Sequence, residues 1–144
     1  MFDALEMSLQ FLERLVPVET RIRQRSASLA KQLADASESI ALNLGEGRLR
    51  HAGDKRRHFE MAAGSASEVT VALRIAVAKR YVTTAELAEL EVVLDRLRAM
   101  NALARDLAQQ VERILVGVDR DARRGLARLV QPRGIGRAEL HPQA

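Results

Sequence analysis

Residues 87–115 read LAELEVVLDRLRAMNALARDLAQQVERIL. Within this stretch Leu87, Leu90, Leu94, Leu97, Asn101, Ala104, Ala108, Val111 and Leu115 alternate spacings of three and four. That rhythm places them on one face of an α-helix. Met100, Leu103, Leu107 and Ile114 widen the face, so the helix is expected to meet more than one neighbour. A helix striped in this way needs other apolar faces to pack against, and three upstream segments supply them.

The first runs from about Asp3 to Val16, with Phe2, Leu5, Leu9, Leu12 and Val16 as its stripe, and Pro17 is expected to end it. The second runs from about Glu19 to Leu44. Ile22, Leu29, Leu33, Ala36 and Ile40 form its stripe, and Asn43 and Gly47 continue the seam. Glycine costs roughly 1 kcal/mol in a helix interior, so Gly45-Glu46-Gly47 is expected to close this helix. Arg48 to Gly53 reads as a connection, with Asp54 capping the third helix. That helix spans about Lys55 to Arg80 and turns Phe59, Ala62, Ala66, Val69, Leu73 and Ala76 inward. Thr83 or Thr84 caps the fourth helix, with Glu86 in its first turn. Four amphipathic segments on short links predict an all-α, up-down-up-down antiparallel four-helix bundle over residues 1–116. Residues 117–144 hold four of the eight Gly and two of the three Pro. They are expected to form an Arg-rich tail, with a short helix near Asp119 to Val130 and a partly disordered end.

Composition narrows the function. The 144 residues contain no Cys, which excludes a disulfide scaffold, a thiol nucleophile and Cys-ligated metal, and fits a reducing, cytoplasmic setting. Aromatics are 3%, so the core is aliphatic and alanine-rich. Met1 to Gln10 carries Asp3 and Glu6 without a basic n-region, which argues against a secretory signal. No run of about 18 apolar residues occurs, so no membrane partner is expected. The net charge is +4, with 20 Arg among the 23 basic residues. Residues 1–110 hold 16 basic and 15 acidic residues, and residues 111–144 hold seven Arg against four acids.

Two short stretches concentrate unusual residues. Ser39-Ile40-Ala41-Leu42-Asn43-Leu44-Gly45-Glu46-Gly47 puts an amide, Asn43, on an apolar seam. It either bonds a neighbouring helix and sets register, or forms part of a ligand site with Glu46. Ala62-Ala63-Gly64-Ser65-Ala66-Ser67-Glu68 is a row of small residues. It is expected to cross closely against Ala41, Gly45 and Gly47, with Glu68 accepting from Ser39, Asn43 or an Arg of another subunit.

In this order Ser39, Ile40, Asn43, Glu46, Gly47, Arg50, Phe59, Gly64, Ser65 and Glu68 resemble the 23S rRNA intervening-sequence (S23-type) proteins, whose pattern is Ser-Ile-x-x-Asn-Ile-Ala-Glu-Gly-x-x-Arg, then Phe and Gly-Ser-x-x-Glu. Gln32-Leu33 also sits where that family has Gln-Leu. The resemblance covers the second and third helices in sequence and the first and fourth in layout. It implies an antiparallel bundle that assembles with copies of itself, as a ring of five. A related branch, the accessory variability determinants of diversity-generating retroelements, forms a basic barrel that binds a reverse transcriptase and nucleic acid. This chain departs from the pattern at Ala34-Asp35, where the family often has two Arg, at Ala41 in place of Pro, and at Gly45 in place of Ala. Losing two basic positions weakens the implied nucleic-acid role.

The remaining candidates are charged. Arg48, Arg50, Lys55, Arg56 and Arg57, with His51 and His58 nearby, form a basic cluster that a ring would multiply into a strong local field. They are the candidate RNA- or DNA-binding residues, through phosphate rather than base contacts, because no aromatic is interleaved. The competing reading is a solvated loop. His51, Asp54 and His58 have metal-ligand chemistry but make a weak set. No metal, cofactor or catalytic residue is expected, since no Glu-x-x-His pair, phosphate-binding Gly loop or nucleophile elbow occurs and the helical-ribonuclease Arg–His spacing is absent. Two functions remain: a non-enzymatic oligomer that binds or scaffolds RNA or ribonucleoprotein through its basic surface, and a protein-interaction module assembling through small-residue helix faces.

Overall fold

The computed structural model describes residues 4–129 and contains four α-helices, with no strand among the described residues. They are α1 (Ala4–Arg25), α2 (Ala27–Leu49), α3 (Ala52–Ala78) and α4 (Thr84–Leu129). The chain divides into two compact units, Met1–Glu112 and Arg113–Ala144. The first is an antiparallel bundle. Its core takes Phe11, Leu15 and Ile22 from α1, Leu33, Ile40 and Leu44 from α2, Val69 and Leu73 from α3, and Leu90, Leu94 and Leu97 from α4.

The first turn lies nine residues beyond the expected one. α1 continues through Pro17 to Arg25. Pro17 and Glu13, whose carbonyl loses its helical partner, are both exposed, so water can take the freed bond. A single residue, Ser26, makes the turn. Its extended backbone (φ −155°) breaks the helix, and its side chain accepts a hydrogen bond from the Leu29 amide at 3.3 Å. The phase of α1 also differs from the expected stripe. Ser8, Phe11, Leu15, Val18 and Ile22 are buried, whereas Leu9 and Val16 are exposed. α1 carries two apolar stripes, and only continuity through Pro17 shows which one Val18 and Ile22 extend. Phe2 lies outside the described residues.

Gly45 and Gly47 do not end α2, which runs on to Leu49. Nor does Leu115 end the fourth helix, since α4 is continuous to Leu129. Gly117 and Gly125 each cost only about 1 kcal/mol within it, the stretch is otherwise rich in Leu, Ala and Arg, and the next proline is Pro132. The expected separate helix near Asp119 therefore belongs to α4, and the expected disordered end lies outside the described residues. α4 begins as the sequence suggests. Thr83 N–H donates to Glu86 Oε2 at 2.8 Å and the Glu86 amide returns a bond to Thr83 Oγ1 at 3.3 Å, a reciprocal capping box. α3 ends with Arg80 at φ 57°, where Arg80 N–H bonds the Val77 carbonyl and Tyr81 N–H the Ala76 carbonyl.

α3 is long and apolar enough by composition to cross a membrane, since an 18-residue window within Gly53–Ala78 has a mean hydropathy of 1.3. Scattered charges keep it from standing out as a continuous apolar run in the sequence. Burial explains part of that apolarity, with 39% of the window buried, because Phe59, Ala62, Ala66, Val69, Leu73 and Ala76 all lie in the bundle core.

Candidate functional site

The polar and small residues of α2 and α3 meet along one seam. Because the helices are antiparallel, positions that descend along α2 ascend along α3. Ser39 Oγ and Ser65 Oγ lie 2.9 Å apart. One turn along α2, Asn43 Nδ2 donates to the Ser39 carbonyl at 2.9 Å and contacts Ser39 Oγ at 3.2 Å. That fixes the amide orientation, so Asn43 Oδ1 faces His58 Nδ1 at 3.2 Å as an acceptor and Nδ1 carries the proton. His58 Nε2 in turn lies 3.6 Å from Glu46 Oε2. At the end of the seam, Gly47 is buried beneath the Phe59 ring. A Cβ there would stand 2.9 Å from Phe59 Cε1 and 3.1 Å from His58 Cβ.

The expected crossing of small row on glycine pair is not what forms. Gly64 is exposed, with nothing within 4 Å of a Cβ built on it, and Gly45 faces Leu5 of α1 at 4.0 Å. A large ring seated on Gly47 makes the close approach instead. Glu68 is exposed and makes no hydrogen bond or ion pair among the described residues.

Three polar links are not evident from the sequence. His58 belongs by position to the basic cluster, yet its ring is committed to Asn43 and Glu46. Asn101 is buried, and its Nδ2 donates to the Phe59 carbonyl at 2.9 Å while its Oδ1 has no partner. Arg98 ties α4 to α3 through the Ala66 carbonyl at 3.1 Å and through Thr70 Oγ1. The signal for His58 is its register opposite Glu46, one turn from Asn43, once Ser39 pairs with Ser65; for Asn101 it is an amide on an otherwise apolar stripe.

The basic cluster sits at the α2–α3 junction. Arg50, His51 and Arg57 are exposed and Lys55 is half-buried. Arg56 is occupied, 3.0 Å from Glu60 Oε1 and 3.7 Å from Glu112 Oε2. Arg48 is exposed but also engaged within the chain. Among the described residues no group of three or more His, Asp or Glu side chains is placed to hold a metal ion.

The sequence model of the 23S rRNA-intervening sequence protein family matches residues 2–103, which covers all the seam residues. The chain belongs to that family. No curated protein is detectably similar to it. Among solved structures it is similar to a protein of unknown function from the S23 ribosomal protein family of Bacteroides thetaiotaomicron, with a TM-score of 0.66 and 18% identity over 71% of this chain and 97% of that one. That likeness concerns the fold. The family match stops at residue 103, so the second unit of this chain lies beyond it.

Proposed function

We propose that this family member is a non-enzymatic, cytoplasmic protein that assembles with copies of itself and acts by binding a partner. The observation that carries the reading is the amount of large apolar surface left uncovered on the bundle. Leu9 and Val16 are exposed seven residues apart on α1, and Leu42 and Leu49 seven apart on α2. Leu5, Leu9, Leu42 and Leu49 line one groove, and Leu49 is 87% exposed. On α4, Leu103 and Leu107, beside the core stripe, and Val111, which continues it, are all exposed. Isolated exposed leucines are ordinary, but grouped ones mark an association surface. The polar residues of the seam, by contrast, satisfy one another, as expected of a structural ladder. Sedimentation equilibrium at micromolar concentration tests this reading. A mass several times that of one chain is expected, and a monomer overturns it.

The exposed cations at the α2–α3 junction favour a second reading, in which the assembly holds RNA. Arg50, Lys55 and Arg57 share one end of the bundle, and repetition around an oligomer concentrates their field. Arg56 contributes less, since Glu60 and Glu112 already neutralise it. Binding should follow backbone charge and fall steeply with salt. Filter binding at low and high salt tests it. No retention of RNA at low salt, or retention unchanged by Arg50→Glu with Arg57→Glu, removes it.

A further inference from the structure

Two adjoining depressions along α2 and α3, of about 750 and 410 Å³, share Asp35 and Ser39 in their walls and so form one continuous groove. It extends along α3 from His58 to Ile75, which at 1.5 Å per residue is about 26 Å. Its charge has one sign. Asp35, Glu38, Glu46 and Glu68 line it, and among the described residues in its walls His58 is the only basic one. Lys31 holds Asp35 at 2.5 Å from outside the groove, and His58 stands by Glu46. Glu38 and Glu68 have no hydrogen bond or ion pair among the described residues. Between the carboxylates, Leu42 (66% exposed), Met61, Val71 and Ile75 present apolar surface. A concave, acidic, partly apolar trough of this length is the complement of a basic amphipathic helix about five turns long.

The chain carries such a helix. Arg113 to Leu129, the α4 part of the second unit, is 17 residues long, again about 26 Å. Arg113, Arg120 and Arg124 are exposed and spaced by seven and four, so they share one face. Ile114, Leu115 and Val118 are exposed on the other side. Between residues 113 and 124 the sequence has four Arg against two Asp. We infer that this arginine-bearing stretch of one copy docks in the α2–α3 groove of a second copy. The inference rests on the self-assembly reading and specifies its surfaces. Arm and groove are different patches, so the contact is head-to-tail, and it propagates until a ring closes or a filament forms.

The test uses the full chain and reads its mass by sedimentation at low salt. Glu38→Arg with Glu68→Arg, and separately Arg120→Glu with Arg124→Glu, are each expected to weaken assembly at least about tenfold. The chain carrying all four changes is expected to regain it, because the charges are complementary again. Far-ultraviolet circular dichroism checks that each variant keeps its helices. If the parent chain assembles and the double variants keep its mass, this contact is wrong and self-assembly stands. If the parent chain is monomeric, self-assembly itself fails and this contact with it. A second measurement uses the absence of native cysteine. Met61→Cys in one chain and Val118→Cys in another, mixed and oxidised, are expected to give a disulfide-linked heterodimer. Gln24→Cys, on the exposed side of α1, replaces Met61→Cys in the control mixture. A groove pair that links no better than this control overturns the proposal.

Discussion

Asn101 reaches out of α4 to the Phe59 carbonyl at 2.9 Å, and the ring of the same Phe59 lies against Gly47 of α2. One residue of α3 therefore joins three helices, by its backbone on one side and its side chain on the other. The bond is imperfect. Asn101 Oδ1 is buried with nothing to accept from, while the Phe59 carbonyl sits inside a helix whose own ladder supplies it with a donor.

Asn101→Leu is therefore expected to stabilise the bundle. The lost hydrogen bond contributes about 0.5–1.5 kcal/mol, whereas an unsatisfied buried acceptor costs about 1–3 kcal/mol. Leucine also adds apolar burial on the stripe it joins. A gain of about 1 kcal/mol is expected in urea unfolding, and a loss of that size would show that the amide holds the helices in register.

Gly45 and Gly47 lie two residues apart in one helix, and replacing each with alanine should have opposite effects. A Cβ on Gly45 meets only Leu5 Cδ1 at 4.0 Å, an ordinary contact, so Gly45→Ala keeps the helix-propensity gain of up to about 1 kcal/mol. A Cβ on Gly47 would press on the Phe59 ring and on His58 Cβ, and overpacking of this kind costs about 1–3 kcal/mol. Gly47→Ala should lower the unfolding midpoint while Gly45→Ala raises it. Equal shifts of the same sign would contradict the Phe59 contact.

How legible these relationships are in the sequence depends on where the chain sets its phase. The four helices and the inward faces of α2 and α3 follow from spacing, because each has a single apolar stripe. α1 has two, and reading Pro17 as a terminator hides the one continued by Val18 and Ile22. The exposed stripe, Leu9 and Val16, is equally regular and so passes for the core face. Helix ends are misplaced where one unfavourable residue is given decisive weight. Gly45 and Gly47 are tolerated because Gly47 admits a ring, and Gly117 because one glycine costs only about 1 kcal/mol in a helix of 46 residues. At the seam, Asn43 is legible as a polar residue on a stripe. Its partner His58 is not, because the cross-helix register depends on packing that no single segment encodes.

Arg80 adopts φ 57° to close the α3 terminus, a conformation that costs an L-residue with a side chain about 1 kcal/mol more than glycine. Its backbone supplies the bond that matters, from its amide to the Val77 carbonyl at 2.9 Å. Arg80→Gly keeps that bond and relieves the strain. Thermal unfolding should shift upward by a few degrees, as expected for about 1 kcal/mol in a domain of this size. Arg80→Ala removes the charge but keeps the strain, so it should leave the midpoint nearly where it was. A rise as large with alanine as with glycine would assign the effect to charge.

Glu86 gives the bundle a pH dependence whose sign is set by its cap. The Thr83 amide and hydroxyl, and then Arg21, hold its carboxyl below the usual glutamate value. A carboxylate with a depressed folded-state value binds its proton more weakly in the folded chain than in the unfolded one. Its stabilisation is thus complete above the unfolded value of about 4.3 and is lost as pH falls through the lower folded value. Glu86→Gln keeps an acceptor for the Thr83 amide but loses the charge near the α4 N-terminus and the pair with Arg21. At pH 7 it should be less stable than the parent by about 0.5–1 kcal/mol. That gap should narrow in acid until the two unfold together. Urea titrations at several pH values between neutrality and strong acid measure it, and a gap constant across that range would mean the charge on Glu86 does not act through the cap.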